Sequence, residues 1–381
     1  MAYGIVSEFN PFHNGHRLLI DKSDDITVSV TSSSFVQRGD VSFINKADKT
    51  KAALKYGVDI VLELPAVYSL ANAEVFARSS VEILRSVGIV DKLLFGSECG
   101  DVNLLKYSIS ILKNTTVQEK IKEYMEGGLY YPKAVYNAVK EIYNEETAKV
   151  FSGANNVLAI EYIKALEGST IEPVTLKRVG SGHDSKTVYN NIASGSYIRE
   201  NFSEKELYAP DYTITDIAKI ENIEKLIVYK FSNMTDEQIK NLPDVGEGIE
   251  NRIVAAVKNY NTFLEICNAV KTKRYTMARI RRILCCGLLS ITKDLQQSSV
   301  PYVRILGFTD RGKQYLKEIR SNCKIPVIIN LCSDYNKLSE VGKKFINTEI
   351  IATRLWSLAS ANNTILKNDF SQPIIKNNPT V

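Results

Sequence analysis

Three histidines occur in 381 residues, and two of them, His13 and His16, stand three positions apart in EFNPFHNGHRLL, Glu8 to Leu19. Side chains spaced by three share one face of a helical turn. Gly15 between them leaves room for a ligand close to the backbone. Pro11 cannot continue a strand's hydrogen bonding, so the chain turns after Asn10. Asn14 is then expected to cap a helix running on through HRLLIDKS. The N–H groups and positive dipole end of that helix favour a phosphate. Paired imidazoles beside it can donate to oxygens whose charge grows during attack at phosphorus. The structural alternative is a metal pair or a capping role, although metal pairs on a helix normally stand i, i+4, as in HExxH, and no third ligand is evident. His183 lies in a second Gly-rich stretch, RVGSGHDS, where Asp184 either orients the imidazole or serves a turn.

These residues need a scaffold, and the first half of the chain supplies one. Apolar runs at 3–9, 26–30, 59–65, 92–98 and 173–179 are rich in Val, Ile and Leu, as expected of parallel strands covered on both faces. Helical spacing fills the gaps, in NKADKTKAALKYG and AEVFARSSVEILRSVG, with Gly57 and Gly88 placed as C-caps. Strands alternating with helices imply an α/β doubly wound parallel sheet, Rossmann-like, with ligands at the carboxyl ends of its strands. Four runs lead directly into unusual loops, NPFHNGH, TSSSFVQRGD, GSECGD and GSGHDS. After about residue 205 the texture changes. FSEKELYAPDYTITD reads as a linker, mostly helical patterns follow, and residues 301–330 suggest a small strand–helix–strand piece. The expected domains are 1–205, catalytic, and 206–381, mainly helical. The last dozen residues read as a loosely held tail.

No apolar run approaches the roughly 18 residues of a membrane span, and MAYGIVSEF lacks the flank and core of a signal peptide, so a cytoplasmic enzyme is expected. The six cysteines form no CxxC pair, which speaks against a zinc knuckle. Cys285 and Cys286 in ILCCGLL are expected to be buried thiols. A net charge of +5 suits an anionic partner only where the positive charge is clustered. No sequence feature sets an oligomeric state.

The HxGH string after a first strand is the signature of a nucleotidyltransferase superfamily that attacks the α-phosphate of nucleoside triphosphates. The ordered series EFNPFHNGH, SFVQRGD, DIVLELP, LLFGSE, NNVLAIEYIKAL, IASGSYIR and VKTKRYT, followed by VGEGIENRI and DRGKQYL, resembles the bacterial tRNA(Met) cytidine acetate ligases from end to end. The resemblance implies a ligase that joins acetate to ATP as acetyl-adenylate and passes the acetyl group to N4 of the wobble cytidine of elongator tRNA(Met). It implies ATP contacts along Val6, Ser7 and Glu8, then Phe9, Asn10, Pro11 and Phe12, then His13, Asn14, Gly15, His16, Arg17, Leu18 and Leu19. Further contacts fall on Gly96, on Asn155 or its neighbour Asn156, and on Arg178 with Val179. Magnesium is implied by ATP, with no protein ligand set. Two departures stand out: Ser33 and Ser34 replace a usual Gly-Asn pair, and the tyrosine–histidine–aspartate order is shortened around His183.

Catalysis is assigned to His13 and His16, as neutral donors near a helix N-terminus. Arg178 and Arg199 can clamp phosphates with planar geometry. Arg199, in SGSYIRE, resembles the superfamily's second phosphate motif; a solvated helix arginine is the alternative. Arg38 and Lys46 could reach acetate or tRNA, or simply face solvent. KTKRYTMARIRR, residues 271–282, carries Lys271, Lys273, Arg274, Arg279, Arg281 and Arg282 with no acid among them. Such a cluster supplies salt-sensitive affinity for RNA, and Tyr275 offers a face for an unpaired base. The alternative is an exposed basic face over an apolar stripe. Two other functions compete: a nucleotidyltransferase acting on a small phosphorylated metabolite, and a non-catalytic RNA-binding protein.

Overall fold

The continuous apolar runs form strands that align side by side. In the computed structural model, which describes residues 1–178, 188 and 190–377, these are β1 (Ala2–Ser7), β2 (Ile26–Ser32), β5 (Ile60–Leu64), β6 (Lys92–Ser97) and β7 (Glu172–Lys177). They pair in parallel in the order β5–β2–β1–β6–β7. The order reverses at β1, the switch point at which open α/β sheets bind ligands. Register brings their carboxyl ends to one rim, with Ser7 opposite Thr31, Ser32 opposite Leu64, and Ser97 opposite Lys177.

Both faces are covered. Ile60, Leu62 and Leu64 pack in one cluster with Val75 and Phe76 of the helix Ala73–Ser86. Val61, which points the other way, packs with Ala52, Ala53 and Leu54 of a helix on the opposite face, Lys46–Lys55. Period-two alternation along each strand sorts the side chains between these layers. Gly57 and Gly88 have φ of +102° and +66°, the left-handed turn that glycine supplies beyond a helix.

Between β2 and β5 the chain inserts a short hairpin, β3 (Phe35–Val36) with β4 (Asp40–Val41). Ser33 and Ser34 are buried ahead of it. Ser33 Oγ donates to Glu349 Oε2 at 2.6 Å, and Ser34 O accepts the N–H of Ser42.

The second half is helical from residue 224 to 297, where Glu224–Ser232, Ile249–Asn259, Phe263–Val270 and Met277–Leu288 share an apolar cluster. Cys285 and Cys286 are buried there. The expected strand–helix–strand piece forms as β8 (Val303–Thr309) and β9 (Val327–Ile328), but joins the main sheet through antiparallel pairing of β8 with β5. The change of texture near residue 205 is therefore no edge of the sheet.

Three expectations change here. Residues 202–216 are anchored rather than a loose connector: Tyr208 and Tyr212 are buried, and Tyr212 Oη donates to Phe12 O at 3.1 Å. The tail is tied down as far as residue 377, because β10 (Ile375–Asn377) pairs with β8. Lys46 reaches neither acetate nor RNA. It is buried against Glu63, at 3.1 Å, and Asp369, while Arg304 bonds the same two carboxylates at 3.1 and 2.8 Å. Four buried charges that satisfy one another avoid the cost of a lone ion.

Candidate active site

β1 delivers the chain to the rim, and the loop from Glu8 to Phe12 is held from several sides. Glu8 Oε1 accepts the N–H of Gln37 at 2.7 Å, and burial raises its carboxyl above the ordinary range, against the pull of Lys49, Arg199 and Arg38. Phe9 takes φ +43°, and the Asn10–Pro11 bond is cis. A bulky residue in the left-handed region is strained, and Phe9 is held there by burial and by ring contacts to Phe12 and His16. Asn10 Oδ1 accepts from Phe43 N at 2.6 Å and Ser42 Oγ at 3.2 Å.

The helix Asn14–Ile20 begins one residue earlier than expected, with His13 as its N-cap. Its capping partner is His16, whose Nδ1 accepts the N–H of His13 at 3.2 Å. Asn14 instead donates to Asn191 O at 3.0 Å. The rings of His13 and His16 stack with centroids 3.7 Å apart and planes at 20°. Burial holds the His16 imidazole well below its ordinary pKa, and His13 and Arg178 add to the effect. A neutral ring whose Nδ1 accepts carries its proton on Nε2, so His16 is a donor there. A Cβ on Gly15 would lie 3.0 Å from His13 Cε1, which explains the glycine between the pair. Capping and lining the site are one arrangement.

The other strands contribute along the same rim. Arg178, just past β7, passes over Gly96 near the end of β6, where an added Cβ would meet its Cγ at 3.2 Å. Its Nη1 donates to Asn155 Oδ1 at 3.3 Å. Glu98 accepts Asn155 N at 3.0 Å, Asn155 Nδ2 at 2.7 Å and Asn156 N at 2.6 Å, capping the helix Ala154–Ala165. Asn156 turns inward and receives the N–H groups of Glu98 and Cys99. Of the two neighbours, Asn155 is therefore the one at the cavity. Arg199, in the helix Gly195–Glu200, donates to Asn10 O at 2.6 Å and Ser196 Oγ at 3.0 Å.

A cavity of about 370 Å³ lies among these groups, lined by Val6, Ser7, Glu8, Phe9, Asn10, His13, His16, Leu19, Gly96, Asn155, Arg178 and Arg199. Ser194, Ser196, Gln37, Arg38 and Asp40 also line it. A second cavity of about 250 Å³, mostly apolar, shares His13, His16, Gly96 and Arg178 and adds Gly15, Leu18, Leu176 and Ile192. Both volumes suit parts of one small ligand. A cleft of about 550 Å³ at the opposite ends of the strands, around Met1, Val90 and Ile171, holds none of the expected residues.

Pro11, Phe12, Asn14 and Arg17 do not line either cavity beside the histidines. Phe12 is core, stacked on Tyr56, and Arg17 turns outward over Tyr56 toward Asp21. Val179, His183 and Asp184 lie outside the described residues. Ser194, the N-cap of its helix, falls in SGSYIRE and Asp40 in SFVQRGD, and neither carries a local signal of its place at the cavity.

The basic segment divides. Lys271 and Lys273 are exposed and Arg274 half-exposed. Arg279 bonds Asp244 O and Glu247, both at 2.9 Å, Arg282 bonds Asp244 Oδ2 at 2.8 Å, and Arg281 pairs with Asp40. Tyr275 is 5% exposed, with its hydroxyl on Glu247 O, so it presents no face to a base. The acids that take up these arginines come from elsewhere in the chain, where a local reading does not see them. Gly39, at φ +74°, lies against the same helix: an added Cβ would stand 2.4 Å from Arg282 N and 2.5 Å from Arg281 C.

The model of the HIGH Nucleotidyl Transferase family matches residues 1–370. A tRNA(Met) cytidine acetate ligase of Clostridium kluyveri is 40% identical over 98% of both chains. One from Thermoanaerobacter sp. strain X514 is 38% identical over 98% of this chain and 99% of its own. The crystal structure of Thermotoga maritima TmcAL in its apo form I superposes with a TM-score of 0.90, and that bound with alpha-thio ATP with 0.89. Each of the two covers 99% of both chains at 27% identity.

Proposed function

We propose a mechanism from one premise: the chain belongs to the tRNA(Met) cytidine acetate ligases, within the HIGH nucleotidyl transferase family. It is an ATP-dependent ligase that forms acetyl-adenylate from acetate and ATP, then acetylates N4 of the wobble cytidine of elongator tRNA(Met). The observation that carries the site assignment is the stacked His13–His16 pair, set at the switch point of the sheet and facing a cavity walled by Arg178 and Arg199.

Acetate is a poor acyl donor because attack on its carboxylate would have to expel oxide. Its oxygen instead attacks the α-phosphorus, pyrophosphate departs, and the resulting mixed anhydride has a good leaving group. His13 and His16 donate to the α-phosphate oxygens as charge builds there. Arg199, pinned by Asn10 O, keeps further N–H groups for phosphate oxygens. The apolar cavity around Leu18, Leu176 and Ile192 suits the adenine ring, and Arg178 and Asn155 flank its mouth. Among the described residues no three His, Cys, Asp or Glu gather as a metal cage. Magnesium would be carried by the phosphates rather than by protein ligands, and would supply positive charge beside the pyrophosphate oxygens.

Lys271, Lys273 and Arg274 supply the exposed positive surface for RNA phosphates. The deciding experiment is exchange of labelled pyrophosphate into ATP. Exchange that depends on acetate supports the reading; exchange that ignores acetate and answers to a phosphorylated metabolite overturns it.

A further inference from the structure

The second step, as read above, requires a proton acceptor. The N4 amine of cytosine attacks the acetyl carbon, a C–N bond forms, the bond from that carbon to the phosphate oxygen breaks, and AMP leaves with the electron pair. N4 begins with two hydrogens and ends with one. The amine is weakly basic, so its proton must be taken up as the new bond forms.

The nucleotide cavity adjoins a groove of about 610 Å³ between the helices Gly195–Glu200 and Met277–Leu288, walled by Arg38, Asp40, Tyr197, Met277, Ala278 and Arg281. Arg38, Asp40, Ser194, Ser196, Arg199 and Glu200 line both volumes. The two volumes thus adjoin along these six residues, and together they reach from the histidines to the start of the helix that follows Lys271, Lys273 and Arg274.

Two carboxylates line both volumes, Asp40 and Glu200, whereas Glu8 and Glu221 line the nucleotide cavity alone. Glu200 is exposed at the end of a six-residue helix. Asp40 is fixed: Arg281 pairs with it, and Gly39 beside it rests on the backbone of Arg281 and Arg282. Gln37, in the same hairpin turn, is tied to Glu8. We propose that the two adjoining volumes admit the RNA base and that Asp40, in the wall they share, is the catalytic residue that accepts the N4 proton during acetyl transfer. Burial raises its carboxyl above the ordinary value while Arg281 opposes the rise, which moves a carboxylate toward the range useful to a general base.

The test measures two rates on the full-length protein. One is acetate-dependent pyrophosphate exchange; the other is single-turnover acetylation of tRNA(Met) transcript by enzyme preloaded with ATP and acetate. Asp40→Asn is expected to lower the ratio of transfer to exchange by about 10²–10⁴-fold, the usual contribution of a general base. Asp40→Glu, which keeps a carboxylate, is expected to recover part of that loss. Equal loss of both rates in Asp40→Asn overturns the assignment, as does a fall in the ratio for Glu200→Gln in place of Asp40→Asn. Wild-type exchange that ignores acetate removes the ligase reading itself, and this inference with it.

Discussion

His16 receives the backbone N–H of His13 on Nδ1 at 3.2 Å while the two rings stack 3.7 Å apart. One interaction therefore caps the helix, fixes the tautomer of His16 and sets the spacing of the imidazoles. Loss of either ring is expected to remove a donor at the α-phosphate and lower adenylate formation by about 10²–10³-fold, or roughly 3–4 kcal/mol. Pyrophosphate exchange by His13→Ala and His16→Ala checks this, and near-wild-type exchange by either variant refutes it.

The same burial has a consequence for stability. His16 has a folded-state pKa well below its ordinary value, so below about pH 6.5 the unfolded chain binds a proton that the folded chain resists. Stability is expected to fall as pH drops from about 6.5. His16→Asn retains an acceptor for the His13 N–H and lacks the titration, so its urea midpoint is expected to gain on wild type as the solution is acidified. Parallel midpoints across that range would count against a neutral His16.

Gly39 and Gly168 share nearly the same φ, +74° and +73°, but only Gly39 has neighbours within reach of an added Cβ. Alanine at either site costs about 1 kcal/mol for the backbone conformation. Gly39→Ala should cost measurably more, because the Arg281–Arg282 backbone cannot yield as a side chain would. Equal denaturant midpoints for the two variants would show that the hairpin is not seated on that helix.

Charge reversal separates the two parts of the basic segment. Lys271→Glu with Lys273→Glu is expected to leave acetate-dependent exchange in place, weaken tRNA acetylation and flatten its salt dependence. Arg282→Glu instead sets a carboxylate against Asp244 in a half-buried pair and is expected to lower stability. Loss of exchange in the lysine variant would place those residues in the nucleotide site.

Glu349 is buried, and desolvation, with Glu63 adding, pushes its carboxyl up to about 8. The folded state then holds a proton that the unfolded state releases near pH 4.3. Between these values stability is expected to decline as pH rises. Glu349→Gln keeps an acceptor for the Ala66 N–H, which Glu349 Oε1 receives. Its midpoint should therefore gain on wild type from about pH 5 to about pH 8, and a flat difference would refute the assignment.

The parallel strands were legible because each is a short apolar run bounded by turn residues, and the histidine pair because its spacing and glycine suit one helical turn. The cap shifted by one residue because His16 competes with Asn14, a choice made by ring geometry rather than residue type. Lys46 carries no local mark of burial, since its partners lie 17 and 323 positions away. The arginines of 279–282 looked unopposed for the same reason: Asp40, Asp244 and Glu247 meet them only through the fold. Asp40 stands in SFVQRGD with no local mark, because its setting comes from the helix that closes over it.

The buried charges also bear on how the chain is made. Lys46 and Glu63 emerge from the ribosome early, yet Asp369 follows Lys46 by 323 positions. At elongation rates of about 5–20 residues per second that interval is on the order of 15–65 s. Until Asp369 appears the nascent chain must leave Lys46 and Glu63 without their full set of companions, since Arg304 and then Asp369 are made later. The edge of β5 also stays open until β8 arrives. Final closure of the sheet is thus a late event, and an incomplete chain would carry both a charged cleft and an unpaired edge as signals of its unfinished state.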